Sequence, residues 1–285
     1  MKINKISPQK HTFVKPLCQI FNPPKYLFYK GILPENRSLC ISIVGSRKPT
    51  RYGTEVTYKL AHELAQKGVV IVSGLALGID SVAHKATLDA GGKTIAILAN
   101  GLDTIYPSTN RDLGEKIINS GGAIISEYEP GEPAMRYRFL ERNRLVSGLS
   151  DAIIVTEASN HSGTFATVKF ALEQGREIFA VPGNITSPLS QGCNMLIKQG
   201  AHPVTSVDDI LEVIAPDILE NQAMLPLGNS PVEQQIIEII QSGKRDGDEI
   251  RSQMNIDITE LNSTLTIMEI NGQIRSLGAN KWTIK

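Results

Sequence analysis

Between Ile41 and Val181, six short apolar runs (41–44, 69–72, 94–98, 123–125, 152–155 and 178–181) alternate with longer stretches whose apolar residues recur at helical spacing. Strands with no polar side must be buried on both faces, and helices between them supply the cover, so the pattern calls for a parallel sheet. The spacing predicts helices over 53–67, 80–90, 109–119, 136–149, 163–174 and 190–199. In the first of these Val56, Leu60, Ala61, Leu64 and Ala65 share one face, and Gly68 stops the helix. The expected fold class is α/β, a mostly parallel sheet with helices on both faces.

The flanks break this rhythm. Residues 1–40 hold Asn22-Pro23-Pro24, Gly31 and Pro34, punctuation that predicts an irregular N-terminal lead-in. The sheet domain is expected over 41–214. A linker is expected over 215–230, which contains Pro216, Pro226 and Gly228. Helices over 231–242, 246–254 and 257–270, followed by a hairpin around Ile274 and Trp282–Ile284, resemble a small C-terminal winged-helix domain over 231–285.

No apolar run approaches the roughly 18 residues that span a bilayer, and the Lys-rich start lacks the apolar segment of a signal peptide. The expected setting is cytoplasmic, with no membrane contact. Cys18, Cys40 and Cys193 are odd in number and far apart, which suggests neither a disulfide framework nor a zinc site. No metal and no cofactor are expected.

The formal net charge is zero, but residues 1–40 carry seven Lys/Arg against one acid. The remainder is mildly acidic, so a polyanion site on the sheet domain has to be a local patch.

Four loops carry the informative chemistry. Gly45-Ser46-Arg47 follows the first strand, yet position 47 is Arg where a dinucleotide fingerprint needs glycine, and the second strand ends in Ser73-Gly74 rather than an acid. Arg47 instead offers a fork of donors suited to phosphate. The second loop, 73–80, has Gly74 and Gly78, which permit close approach of a backbone or base, and Asp80 as a helix cap; a plain tight turn is the alternative. His84 lacks a nearby nucleophile and reads as structural.

Residues 136–144 give the strongest local signal: Arg136, Arg138, Arg142 and Arg144 interleave with Tyr137 and Phe139. Cations for phosphates and ring faces for bases are what an unpaired strand requires, whereas a solvated Arg face with buried rings is the plain alternative. Ser162, Gly163 and Thr164 stand at a helix start and would offer hydroxyls and amides to an anion. Phosphoribohydrolases of related architecture carry P-G-G-x-G-T-x-x-E here. This chain keeps the loop but has Thr167 at the position of the Glu. A nucleotide-processing hydrolase and a nucleotide-binding regulator therefore stand as competing readings.

Taken together the loops resemble the DNA-processing protein A (DprA/Smf) family. The matching stretches include Val44-Gly45-Ser46-Arg47, Ser73-Gly74-Leu75-Ala76 with Gly78-Ile79-Asp80, Gly101-Leu102-Asp103 with Tyr106-Pro107, Phe139 with Arg142-Asn143-Arg144, Ser162-Gly163-Thr164, Val181-Pro182-Gly183 and Gly192 with Asn194. The resemblance implies an extended Rossmann-like domain in a non-catalytic protein that binds single-stranded DNA, forms a homodimer and helps load the RecA recombinase during natural transformation and recombination. Carried onto this chain, it assigns DNA contacts to Ser46, Arg47, Arg136, Phe139, Arg142, Asn143, Ser162, Gly163 and Thr164, beside the close-approach glycines Gly74 and Gly78. Residues 190–201 lie where family members associate. The 40 residues before the first strand are too few and too broken for the helical SAM-like domain many relatives carry, and Ser108 stands where some have a basic residue. In the C-terminal part, 257–270 holds Asp257, Glu260 and Glu269 and no Lys or Arg, which favours protein contact over duplex reading.

Overall fold

A computed structural model describes residues 2–218, 230–254 and 256–284. The chain divides into two compact units, Met1–Leu219 and Glu220–Lys285.

In the first unit the strands are β1 (Asn4–Ile6), β2 (Leu27–Gly31), β3 (Cys40–Val44), β4 (Val70–Ser73), β5 (Thr94–Ile97), β6 (Ala123–Ser126), β7 (Ala152–Val155), β8 (Glu177–Ala180) and β9 (His202–Pro203). The helices are α1 (Arg51–Gln66), α2 (Ile79–Asp89), α3 (Arg111–Asn119), α4 (Arg136–Leu149), α5 (Thr164–Glu173), α6 (Gln191–Lys198) and α7 (Asp208–Ile214). Among the described residues these strands form one sheet in the order β1-β2-β6-β5-β4-β3-β7-β8-β9. From β6 to β9 every pairing is parallel.

Alternation along β3 shows why the strands read as continuous apolar runs. Ile41 and Ile43 point into the layer made with α1 and α2, while Cys40 and Val44 join the opposite layer with α4 and α5. Ser42, the polar residue of the strand, is fully buried and bonds to the carbonyl of Val146 at 3.1 Å and to Ser150 Oγ at 2.6 Å.

Residues 1–40 differ from the expected irregular lead-in. β2 runs antiparallel to β6 and β1 antiparallel to β2, so the segment extends the sheet. A 3-10 segment over Thr12–Cys18 buries Phe13, Val14 and Leu17 completely. Gly148 of α4 has no side chain where Leu17 and Ile20 pack against it. Proline at 16, inside that segment, and the short strands hide this order from a periodicity reading.

Of the expected linker over 215–230, residues 219–229 lie outside the described residues. Ala215 and Ile218 still pack on the core layer of α1 and α2.

The second unit has α8 (Pro231–Gln241), α9 (Gly247–Met254), α10 (Ile258–Ile270) and an antiparallel hairpin of β10 (Ile274–Gly278) and β11 (Lys281–Ile284). Its core takes Ile236, Ile237 and Ile240 from α8 and Leu261, Leu265 and Met268 from α10. Among the described residues no helix of the chain is long and apolar enough to cross a membrane.

Candidate nucleic-acid interface

The carboxyl ends of β3, β4 and β7, where loops leave a parallel sheet, border a cleft of about 720 Å³ that α4, the start of α5 and Tyr106 also line. Ten of the eleven residues proposed from sequence line it; Gly78 does not.

The four loops are tied to one another before any ligand is considered. Glu157, buried after β7, accepts from the Thr50 amide at 2.8 Å and the Thr50 hydroxyl at 2.5 Å, and its carbonyl accepts from the Ser46 amide at 2.8 Å. Thr50 in turn caps α1 by accepting from the Gly53 amide. The Ser46 carbonyl accepts from the Ile79 amide at 3.1 Å, joining the first loop to the second. Gly78 sits at φ +80°, and a Cβ there would strike the Ser46 carbonyl. Its glycine is therefore required by the join between loops.

Asp80 does not act as the cap of α2. It is the second residue of the helix, and its carboxylate reaches back to accept from the amides of Gly74 at 3.0 Å and Ala76 at 3.3 Å. Burial pushes its carboxyl up, opposed by the positive charge of Arg142 and by those two amides.

The Arg-rich stretch is split by the structure. Arg142 is 4% exposed; it donates to the carbonyls of Gly74, at 2.9 Å, and Ile97. Burial lowers its pKa to about 10, with Asp80 working the other way and Arg47 adding repulsion, so it stays charged at neutral pH. Arg144 is buried in a two-pronged pair with Glu127, at 2.8 and 2.6 Å. Arg138 pairs with Glu132. The expected set of exposed cations thus reduces to Arg136 and, from the first loop, Arg47. Both are exposed, and among the described residues neither has a carboxylate partner.

The aromatic residues also divide. Tyr137 is 53% exposed. Phe139 is half-buried in the cleft, 5.5 Å from the Tyr106 ring and 5.6 Å from the Arg47 guanidinium. Tyr106, from the loop after β5, entered the sequence reading only as part of a motif. Its position against Phe139 is a tertiary contact that no local spacing reports. Asn143 faces the cleft and accepts from Arg142 Nε at 3.3 Å.

At the start of α5 the expected free amide donors are mostly engaged within the loop. Ser162 Oγ accepts from the Thr164 amide at 3.2 Å and donates to Thr164 Oγ1 at 2.8 Å, while the Phe165 and Ala166 amides bond to the Ser162 and Gly163 carbonyls. Gly163 is exposed, with open space above it. Thr167 lines the cleft, and Asp80 is the one carboxylate that does so among the described residues.

His84 is buried, with Nδ1 2.7 Å from Thr94 Oγ1. Thr94 donates its own proton to the Ile71 carbonyl, so Nδ1 is the protonated nitrogen of a neutral ring.

Residues 4–215 match the family described as DNA recombination-mediator protein A. Protein Smf of Escherichia coli is 44% identical over 209 residues, covering 71% of this chain and 56% of its own, so the chain spans little more than half of that relative. The DNA processing protein DprA of Streptococcus pneumoniae is 44% identical over 195 residues, 68% of each chain. Among solved structures, the S. pneumoniae protein superposes with a TM-score of 0.67 at 38% identity over 75% of each chain. The Helicobacter pylori DNA processing protein A, solved for its single-stranded DNA binding mode, gives 0.67 at 32% identity over 76% of this chain and 97% of its own. The match runs from β1 through β9 and takes in every loop of the cleft, and the chain belongs to the DNA recombination-mediator protein A (DprA/Smf) family.

Proposed function

We propose that the protein binds single-stranded DNA in the cleft without cleaving it and presents the strand to a RecA-type recombinase. The observation that carries this is that Arg47 and Arg136, which have no carboxylate partner among the described residues, share one cleft with the Phe139–Tyr106 ring pair. Two cations attract phosphates whatever the sequence, and ring faces stack only on bases that are not already paired. In this reading Arg47, Arg136, Phe139, Asn143, Ser46 and the Ser162–Thr164 turn touch the strand. Arg142, Gly74 and Gly78 act beneath it, holding the loops in place.

A hydrolytic role is disfavoured by the cleft chemistry. Among the described residues its one lining carboxylate, Asp80, is buried and occupied by two backbone amides, and Thr167 cannot act as a general acid or base.

We further read 41–214, together with the strands of 1–40, as the DNA-binding domain, 215–230 as a linker and 231–285 as a winged-helix-like domain that contacts protein. The acidic, Lys/Arg-free stretch 257–270 supports the last assignment. Homodimer formation through 190–201 and a cytoplasmic setting complete the proposal.

The test is a mobility-shift comparison of single-stranded and duplex DNA over a salt series. Preference for the single strand, abolished in Arg47→Ala/Arg136→Ala with the fold intact, is the expected result. Unchanged affinity in that variant, or release of base from nucleoside monophosphates by the wild type, overturns the reading.

A further inference from the structure

The basic N-terminal segment takes no part in the cleft, yet its position in the sheet gives it a relation to it. β2 is antiparallel to β6 and pairs Phe28 with Ser126, the last residue of β6. The beginning of β2 therefore stands at the carboxyl edge of the parallel strands, the edge that carries the cleft. Lys5 of β1 pairs with Phe28, and its Nζ is 4.4 Å from the centre of the Tyr26 ring and 5.1 Å from that of Phe28. Lys25 Nζ lies 5.6 Å from the Tyr26 ring, which is 43% exposed.

Between this patch and the cleft runs the loop after β6. There Arg138 stands 4.5 Å over Tyr128 and 5.8 Å from exposed Tyr137, and Lys5 reaches Glu129 at 3.8 Å. Cation–aromatic pairs thus recur along one edge of the sheet: Arg47 with Phe139, Arg138 with Tyr128, and Lys5 and Lys25 with Tyr26.

We propose that Lys5, Lys25 and Tyr26 form a second contact surface for single-stranded nucleic acid, engaged by a strand that leaves the cleft along the carboxyl edge of the sheet. This rests on the cleft reading above. Lysines with an accessible ring between them suit phosphates flanking an unpaired base. Several acids border the path: Glu141 accepts from the Tyr128 hydroxyl at 3.1 Å and Asp103 from the Gly131 amide at 2.6 Å. Glu132 is already held by Arg138, and Glu129 is largely exposed and only distantly paired with Lys5, so a phosphate displaces a solvent-screened partner. Three strand spacings separate β4 from β2, roughly 14 Å at about 4.8 Å each. A strand must therefore extend several nucleotides beyond the cleft to reach the patch.

The test measures binding of labelled oligothymidylates of about 5 and about 20 nucleotides, bracketing common single-strand site sizes, to the full chain and to Lys5→Ala/Lys25→Ala/Tyr26→Ala. The longer strand should bind about tenfold more weakly to the variant, with the shorter one changed less than about twofold. The salt slope for the longer strand should fall by about 1.4, two lysines at about 0.7 each. Equal effects on the two lengths, including no effect on either, overturn the proposal. Should the triple variant lose its cooperative thermal transition, Lys25→Glu, an exposed single substitution, carries the same length-dependent expectation. Failure of the cleft reading looks different: the wild type then binds neither length, or Arg47→Ala leaves binding of the shorter strand unchanged.

Discussion

The guanidinium of Arg142 donates to the carbonyl of Gly74 at 2.9 Å, and a Cβ on Gly74 would stand 2.6 Å from that same guanidinium. The two residues, 68 positions apart, define the floor of the cleft together. Arg142→Met removes the charge that offsets the cost of burying the Asp80 carboxylate and should cost about 3–5 kcal/mol in urea denaturation. Arg142→Lys should recover only part of this, because both carbonyls are reached from Nη1 at the tip of the guanidinium and the lysine side chain ends one bond short of it. Wild-type stability in either variant would show that the floor does not depend on this anchor.

Arg47 and Arg136 should behave in the opposite way. Both are exposed and lack carboxylate partners among the described residues, so alanine at either site should leave the thermal midpoint within about 2 °C of wild type, as for surface substitutions generally. The slope of log affinity against log salt should fall by about 0.7 for each Arg removed. Fluorescence anisotropy over a salt series reads this directly.

Phe139 separates ring chemistry from bulk. Phe139→Leu keeps most of the apolar volume against Tyr106 but loses the face on which a base stacks. Oligonucleotide binding should weaken by about 1–3 kcal/mol, and Phe139→Tyr should retain it. Equal affinity for the Leu and Tyr variants would remove stacking from the mechanism.

His84 makes stability depend on pH in a defined window. Burial, reinforced by the Arg142 charge, lowers its pKa to about 3. The unfolded chain, with an ordinary His pKa near 6.5, therefore binds the extra proton below that pH and the folded one does not. Stability should decline as pH falls from 6.5, at up to about 1.4 kcal/mol per pH unit, before acidic side chains begin to titrate. In His84→Gln the slope between pH 6.5 and 5 should flatten, whatever the variant's absolute stability. An unchanged slope would mean that another group carries it.

The N-terminal segment supplies core. Phe13→Ala, at a fully buried site under α4, should destabilise the first unit by about 3–5 kcal/mol. Calorimetry that finds less than about 1 kcal/mol would return residues 1–40 to the status of a loose lead-in.

The alternation of apolar runs and helical stretches from Ile41 onward was enough to specify the parallel sheet, since burial of both strand faces leaves a periodic trace in the residues themselves. Residues 1–40 left no such trace: two short strands and a 3-10 segment with Pro16 look like punctuation until β6 and α4 are there to receive them. For the cleft, residue types singled out Gly45-Ser46-Arg47 on the loop after the first apolar strand and the 136–144 cluster, Phe139 within it, at the start of an expected helix. Packing alone decided which arginines face solvent. Arg136 and Arg142 are equally basic and six positions apart, but the register of α4 directs one outward and turns the other onto the carbonyls of Gly74 and Ile97. Tyr106 reaches Phe139 only because β5 lies beside β4 in the sheet. Local chemistry is written in the chain, whereas exposure and partnership depend on what the fold brings alongside.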